Sequence, residues 1–328
     1  MARRPRRRRP ANPMLDAMIE LEGLTKRLGG RTVVEDVSFR CEPGTVTGFL
    51  GPNGAGKTTT LRMLTGLSRP DAGHAAVLGR PYAELPNPGR RVGVLLDAAA
   101  QHGGRRGREA LAISAQTMGV DPARVDPLLT LVGLDRSAAR KRVRQYSLGM
   151  RQRLGIAQAL VGDPQVLILD EPANGLDPEG IRWMRELLRD FADRGGTVLL
   201  SSHLLAEVEL LVDHLVIIAG GRVRAAGTRE ELLAGGGTVV RATDEVALVA
   251  ALGDAGLDAR RTPDGEFVVD AEPEEIGRAA LDGGVVLTRL GESQGAGLEQ
   301  LFFELTRGDA PAPAAAPRPT DDLAEAIR

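Results

Sequence analysis

The chain lacks the features that mark secreted and membrane-spanning proteins. Its 328 residues include one cysteine, Cys41, which excludes an internal disulfide framework and is typical of a reducing compartment. The sequence has no run of about eighteen apolar residues, so we expect that the chain does not itself cross a membrane. Neither sign of charge is in large excess, since the net charge is −2 at pH 7. The overall composition therefore gives no indication of nucleic-acid binding.

Lysine is also scarce, and one of the three lysines stands in a glycine-rich segment. The segment comprises Gly51, Pro52, Asn53, Gly54, Ala55, Gly56, Lys57, Thr58 and Thr59. Its glycines allow backbone N–H groups to close around phosphate oxygens, because a Cβ atom would block that approach. Lys57 adds a positive charge for the β- and γ-phosphates of a nucleotide, and the Thr58 hydroxyl can bind Mg²⁺.

The patterns on either side of this segment favour a phosphate-binding loop. An apolar strand is predicted at residues 45–50, and Leu61, Leu64 and Leu67 follow at helical spacing. The order of strand, glycine loop and helix directs a helix N-terminus at the anion. An ordinary glycine-rich turn is the alternative when the segment is taken alone.

A pair of acids follows an apolar run at residues 166–169. The unbroken run predicts a buried parallel strand, with Asp170 and Glu171 at its carboxyl end, where α/β sheets bind ligands. Asp170 is predicted to hold Mg²⁺, directly or through water. Glu171 is predicted to act as the general base for the water that attacks the γ-phosphate. Taken alone, the two acids could instead be solvated turn residues.

Ser147 and Gly149 precede a segment with helical periodicity at residues 150–161. A hydroxyl group and open amides at the start of a helix favour a further anion-binding site. A simple helix N-cap is the alternative, and only the position of the segment among the other motifs argues against it.

Together these motifs resemble the nucleotide-binding subunit of ATP-binding-cassette (ABC) transporters, over about residues 18–230. Residues 146–150 stand where that family has its signature loop. Asp177 matches the acidic position of the family's D-loop. His203, directly after an apolar strand at residues 197–202, matches the switch histidine that contacts the γ-phosphate. Taken alone, a histidine at the end of a strand is more often structural.

The resemblance implies an α/β fold of the P-loop NTPase class, with a mixed-sheet core, an antiparallel edge sheet and a helical subdomain at residues 98–145. It also implies that the chain binds ATP and Mg²⁺ and forms a head-to-tail homodimer or paired cassette. In that pair, Ser147 and Gly149 of one chain close on the ATP held by residues 51–58 of the other. ATP would favour the closed pair, and hydrolysis would release it.

Three positions depart from the common family pattern. Leu28 stands where an aromatic residue usually stacks on adenine, so the base would be held by apolar contact. Asp97 replaces a glutamine that usually contacts Mg²⁺; its carboxylate can reach the metal through water but adds negative charge beside a triphosphate. The signature loop reads Ser147-Leu148-Gly149-Met150. Such variants are similar to the subgroup that exports drugs, antibiotics and peptides.

The composition changes at both ends of the cassette. Residues 1–17 form a basic leader, with six arginines among the first ten residues, which we expect to be disordered. This leader could bind anionic lipid or nucleic acid, or translation could start at Met14 or Met18. Residues 308–328 form a Pro/Ala-rich tail that is also predicted to be disordered.

A second unit is predicted at residues 238–307. Its patterns follow the order βαββαβ, which predicts a small α+β domain of the ferredoxin-like type. The unit ends in a helix with an apolar stripe that is typical of a packing face. Its sequence contains no catalytic constellation.

The resemblance therefore implies an ATP-hydrolysing subunit that powers a separate integral-membrane permease with about six spans. The exported substrate would be a drug, an antibiotic or another amphipathic small molecule. The chain would lie peripherally at the cytoplasmic face of a bacterial cell membrane, with no nucleic-acid partner.

A soluble ABC-type ATPase acting on ribosomes or nucleic acid is the alternative, supported directly only by the basic leader. Such proteins usually carry two cassettes or a long coiled-coil insertion, and this sequence has neither pattern. An inactive cassette is disfavoured because Lys57, Asp170, Glu171 and His203 are all present.

Overall fold

The computed structural model describes residues 17–233, 237–261, 265–292 and 297–306. The predicted tail, the leader up to residue 16 and residues 262–264, 293–296 and 307 of the predicted second unit lie outside these ranges. The described residues form a six-stranded sheet, a three-stranded sheet and a four-stranded sheet. Among their helices, none combines the length and the apolar character that a membrane span requires.

The elements follow one another along the chain with short connections. The strands are β1 (Ile19–Leu28), β2 (Arg31–Cys41), β3 (Val46–Leu50), β4 (Ala72–Val77), β5 (Val92–Leu95), β6 (Val166–Asp170), β7 (Thr197–Ser202), β8 (His214–Ala219), β9 (Arg222–Thr228), β10 (Thr238–Ala242), β11 (Ala259–Arg261), β12 (Phe267–Val269) and β13 (Leu287–Glu292). The helices are α1 (Lys57–Leu64), α2 (Gly107–Thr117), α3 (Val125–Leu131), α4 (Arg136–Arg140), α5 (Leu148–Leu160), α6 (Pro178–Asp193), α7 (Leu205–Val208), α8 (Arg229–Leu233), α9 (Glu245–Asp254), α10 (Pro273–Asp282) and α11 (Gly297–Thr306).

The central sheet brings the predicted motifs to one edge. Its order is β5-β6-β7-β3-β8-β9, in which β9 runs antiparallel to β8 and the other pairs are parallel. Strands β3, β6 and β7 are buried along their whole length, which is why their sequences are apolar without alternation. Their parallel alignment places residues 51–56, Glu171 and His203 at the same edge. The predicted buried parallel strand before Asp170 is confirmed.

Two hydrophobic cores cover the two faces of the central sheet. Ile168 and Leu199 point to one face, where they pack with residues of α1 and of the sheet β2-β1-β4. Leu167 and Leu200 point to the other, where they pack with residues of α2, α3, α5 and α6. The predicted P-loop fold, with its antiparallel edge sheet, is confirmed.

Helix α1 is shorter than the sequence pattern suggested. It ends at Leu64, because Gly66 adopts a positive φ of 72° and the Thr65 hydroxyl donates to the Leu61 carbonyl at 2.9 Å. The prediction that Leu67 lies on the same apolar stripe is wrong, since 71 % of its surface is exposed.

Helices α2, α3 and α4 lie within residues 98–145. Leu111 of α2 and Val125 of α3 are fully buried and share the core with Leu154 of α5. Because α5 also packs on β5 of the central sheet, these helices are joined to that sheet through α5.

The C-terminal sheet is a separate antiparallel unit with the order β11-β12-β10-β13. Helices α9 and α10 pack on it around its own core, which includes Val240, Leu248 and Ile276. This order is that of a ferredoxin-like βαββαβ unit, and the predicted fold class is confirmed.

Helix α11 leaves that unit and packs on the cassette. It contacts α7, α8 and β8, and its Leu298 and Phe302 join the core around α6 and β7. The predicted stripe is thus a packing face, although its partner is the cassette. The domain boundaries at residues 18–230 and 238–307 stay predictions.

Candidate active site

The loop after β3 has a backbone that only glycine fits at two positions. A Cβ atom at Gly51 would collide with the Ile218 carbonyl oxygen, and one at Gly56 would lie 2.6 Å from the Val33 carbonyl oxygen. Gly54 and Gly56 have φ values of 84° and 105°, in the left-handed region that favours glycine. The loop therefore forms a backbone cradle of the kind that binds phosphate.

Helix α1 presents its N-terminus to this cradle without a side-chain cap, so its first amides are available to an anion. The Ala55 N–H donates to the Pro52 carbonyl at 3.1 Å, which closes the turn of the loop. Asn53 is exposed at the tip of the loop, and Thr59 is half-buried in the first turn of α1. These residues fit a polyphosphate chain.

Lys57 folds back over the loop. Its Nζ donates to the carbonyl oxygens of Gly51 at 2.6 Å and Pro52 at 3.3 Å, and it lies 3.4 Å from Oε1 of Glu171. The side chain is 6 % exposed. A positive charge is thus held at the mouth of the cradle, beside Glu171, which directly follows β6.

Asp170 is held by two hydroxyl groups. The Thr58 Oγ1 donates to its Oδ2 at 2.6 Å, and the Ser201 Oγ donates to its Oδ1. Among the described residues, no group of three or more His, Cys, Asp or Glu side chains could hold a metal ion. A Mg²⁺ at Thr58 and Asp170 would therefore take its other ligands from nucleotide and water, which is the usual way that Mg²⁺ binds.

Glu171 links the cradle to the strand-end histidine. Its Oε2 lies 2.8 Å from the His203 Nδ1, while Oε1 faces Lys57. The Glu171 backbone has a φ of 48°, which is disfavoured for a residue with a side chain and often marks a functional site. The side chain is 19 % exposed, so a water molecule can reach the carboxylate.

Two further polar residues at this site escaped the sequence analysis. The Ser201 Oγ accepts the Glu171 N–H at 3.0 Å in addition to donating to Asp170, and the Gln152 Nε2 donates to the Glu171 carbonyl at 3.2 Å. Ser201 and Gln152 are 0 % and 3 % exposed. The sequence does contain a signal for both residues, since each is a polar side chain on an otherwise apolar strand or helix face. A buried polar group requires a partner, so such a residue indicates a specific contact.

Leu28 and Asp97 lie at exposed turns. Leu28 ends β1 at its hairpin with β2, with half of its surface exposed. The Asp97 Oδ1 accepts the Ala99 N–H at 2.7 Å and so caps the turn that follows β5. Neither position is joined to Lys57 or Asp170 by a hydrogen bond in the described residues, and their roles stay predictions.

Ser147, Gly149 and Asp177 also lie near one another at helix starts. The Ser147 Oγ accepts the Met150 N–H at 3.2 Å and caps α5. The Asp177 Oδ1 accepts the Gly180 N–H at 2.9 Å and caps α6. A Cβ atom at Gly149 would lie 2.7 Å from the Gly175 carbonyl oxygen, so the starts of the two helices pack closely.

Comparison with known proteins agrees with this geometry. The family described as ABC transporter matches residues 34–174. The bacitracin transport ATP-binding protein BcrA of Bacillus licheniformis is 42 % identical over 212 residues, covering 64 % of this chain and 69 % of that protein. The Nod factor export ATP-binding protein I of Paraburkholderia xenovorans (strain LB400) is 41 % identical over 273 residues, covering 79 % of this chain and 89 % of that protein. A solved ATP-binding subunit of an ABC transporter matches with a TM-score of 0.61 and 31 % identity, covering 66 % of this chain and 91 % of that one.

Proposed function

Since the chain belongs to the ABC transporter family of ATP-binding proteins, whose characteristic activity is ATP hydrolysis, we propose that it powers a separate membrane permease that exports an amphipathic small molecule. The ATPase part rests on one observation, the convergence of Lys57, Thr58, Asp170, Glu171 and His203 at one edge of the central sheet. The export part is supported by the names of relatives that transport bacitracin or export Nod factor. A drug or an antibiotic fits that substrate class.

ATP binds with its phosphates in the cradle of residues 51–56 and against the first turn of α1. Lys57 exchanges its contacts with the loop carbonyls for contacts with the β- and γ-phosphates, because a charged partner is stronger than a neutral carbonyl. Thr58 and Asp170 would hold Mg²⁺. When bound, the ion would neutralise part of the charge of the phosphates.

Glu171 is the general base of the proposed reaction. Its carboxylate takes a proton from the water that attacks the γ-phosphate. His203 contacts that carboxylate through Nδ1, which orients the ring and leaves Nε2 for the γ-phosphate.

A second copy of the chain completes the proposed site. Ser147 and Gly149 of one chain meet the ATP held by the other, and Asp177 lies at the same interface. ATP favours the closed pair through contacts that the open pair lacks, and hydrolysis removes them.

The positions that depart from the family pattern have proposed roles of their own. Leu28 would hold the adenine ring by apolar contact, and the Asp97 carboxylate would help to hold Mg²⁺. The chain itself acts peripherally, at the cytoplasmic face of a bacterial cell membrane, on a permease with about six spans. Residues 98–145 carry the surface that meets this permease.

Co-purification tests this assignment. The tagged chain is expressed in its native host, membranes are solubilised gently, and proteins recovered in stoichiometric amount are identified by mass spectrometry. We expect one polypeptide with several apolar spans. Recovery from the soluble fraction alone, with ribosomal proteins or nucleic acid, would overturn the transport assignment and leave the ATPase activity intact.

A further inference from the structure

Gln152 is a buried amide on α5, the helix that Ser147 caps. Its Nε2 donates to the main-chain oxygen of Glu171 at 3.2 Å. The neighbouring buried residues of α5 are apolar, among them Leu154 and Ile156. A glutamine in such surroundings is costly unless its amide has a partner. The contact with Glu171 satisfies this buried amide, and a function of Gln152 would act through that contact.

The Glu171 peptide groups are held on both sides. Its N–H is bound by the Ser201 Oγ at 3.0 Å. Its carbonyl accepts from Gln152 and also from the Asn174 N–H at 3.1 Å. Because the residue has a φ of 48°, it would relax toward a more favourable conformation if these bonds were lost. That relaxation would move the carboxylate away from His203 and Lys57.

We propose that Gln152 is a positioning residue for ATP hydrolysis, which holds the Glu171 backbone so that its carboxylate faces the attacking water. This inference rests on the proposed role of Glu171 as the general base. The same hydrogen bond connects α5 to the backbone of the proposed general base. The helix starts next to Ser147, five residues before Gln152, so a shift of α5 on contact with a second chain's nucleotide reaches Glu171 through this hydrogen bond.

The substitution Gln152→Leu tests the inference, because it removes the donor and nearly preserves the volume. Steady-state ATPase assays should give a kcat about tenfold lower and a KM for MgATP within about twofold of the unchanged protein, as for an interaction that acts on the chemical step. Gln158→Leu is the matched control. Gln158 is on the same helix and contacts Gln101 and Ser114 instead of Glu171, so its kcat should stay within about twofold.

Gln152→Met provides a second variant if the leucine variant does not fold. It keeps the length and flexibility of the side chain, but a thioether has no hydrogen to donate. We expect the same loss of kcat or a larger one. Thermal unfolding of each variant confirms that the folded protein is being assayed.

A double substitution separates positioning from a general structural effect. In a Glu171→Gln background, Gln152→Leu should not lower the residual turnover further, because the carboxylate that Gln152 positions is already gone. A second loss of about tenfold in that background, or an unchanged kcat for Gln152→Leu alone, would overturn the inference. Near-normal turnover of Glu171→Gln itself would overturn the proposed role of Glu171 as well.

Discussion

Two regions of the cassette that are predicted to bind the same nucleotide differ in how complete they are. The phosphate region comprises residues 51–58, 170–171 and 201–203. The signature region comprises residues 147–149 and 175–177. In the phosphate region, polar groups at the start of α1 and at the carboxyl ends of β6 and β7 bond one another, from Thr58 through Asp170 and Ser201 to Glu171 and His203.

In the signature region, the side-chain hydrogen bonds of Ser147 and Asp177 within the described residues go to their own helices. Ser147 and Asp177 are exposed, and each caps the helix that it precedes. In the proposed pair, the phosphate region would hold the nucleotide of its own chain, and the exposed signature region would meet the nucleotide held by the other chain. The contrast between the two regions therefore supports the proposal of a nucleotide site shared between two chains.

The sharpest test of the phosphate region is Glu171→Gln. We expect hydrolysis at least about a hundredfold slower, because a general base has been removed, while MgATP binding persists. A single-turnover assay with a parallel binding measurement checks both quantities. Glu179→Gln, an acid in the first turn of α6, is the control. Near-normal turnover of the Glu171 variant would contradict the assignment.

Lys57→Ala should weaken nucleotide binding by about 10- to 100-fold, as expected for the loss of a charge-assisted hydrogen bond to phosphate. Isothermal titration with ATP measures the effect. Lys26→Ala is a suitable control, because Lys26 bonds Asp71 and the Arg69 carbonyl at the surface. Equal affinities of the two variants would show that the glycine loop has been misread.

Ser147→Ala should impair the function proposed for the signature region without impairing that of the phosphate region. Losing the cap of α5 costs about 0.5–2 kcal/mol of stability, ATP binding to one chain stays within about twofold, and ATP-driven pairing weakens. Asp135→Ala removes a comparable cap from α4 and should lower stability without affecting pairing. If pairing of the two variants weakens equally, Ser147 has no role beyond its helix.

The smallest expected effect is that of Asp97→Gln. Replacing the carboxylate with an amide removes a negative charge near the triphosphate, so the Mg²⁺ concentration that gives half-maximal turnover should shift by a few-fold. Titration of turnover with Mg²⁺ at fixed ATP measures the shift. Superimposable titrations of variant and parent would remove Asp97 from the site.

The sequence was sufficient to predict the phosphate loop because its backbone cradle is built from consecutive residues. The spacing of Gly51, Gly56 and Lys57 carries that geometry directly. The acids at the carboxyl end of β6 and the histidine after β7 could also be predicted, since parallel strands bring their carboxyl ends to one edge of the sheet. No local pattern indicated that Glu171 and His203 lie within 2.8 Å of each other.

Contacts between distant segments could not be predicted. Ser201 and Gln152 touch Glu171 only because β6, β7 and α5 pack together, and neither side chain belongs to a contiguous motif. The same limit applies to α11. Its apolar stripe predicted a packing face but not the partner, which is the cassette. The sequence pattern extended α1 to Leu67, but the helix ends at Leu64 because Gly66 adopts a positive φ.

The central claim is that the phosphate region of one chain and the signature region of another share a nucleotide. Light scattering of the Glu171→Gln variant with ATP tests it most directly, because ATP is then bound but hydrolysed slowly. We predict a mass twice that of one chain with ATP, the mass of one chain without it, and a reduced dimer fraction when Ser147→Ala is added. A single-chain mass with ATP bound would contradict the account.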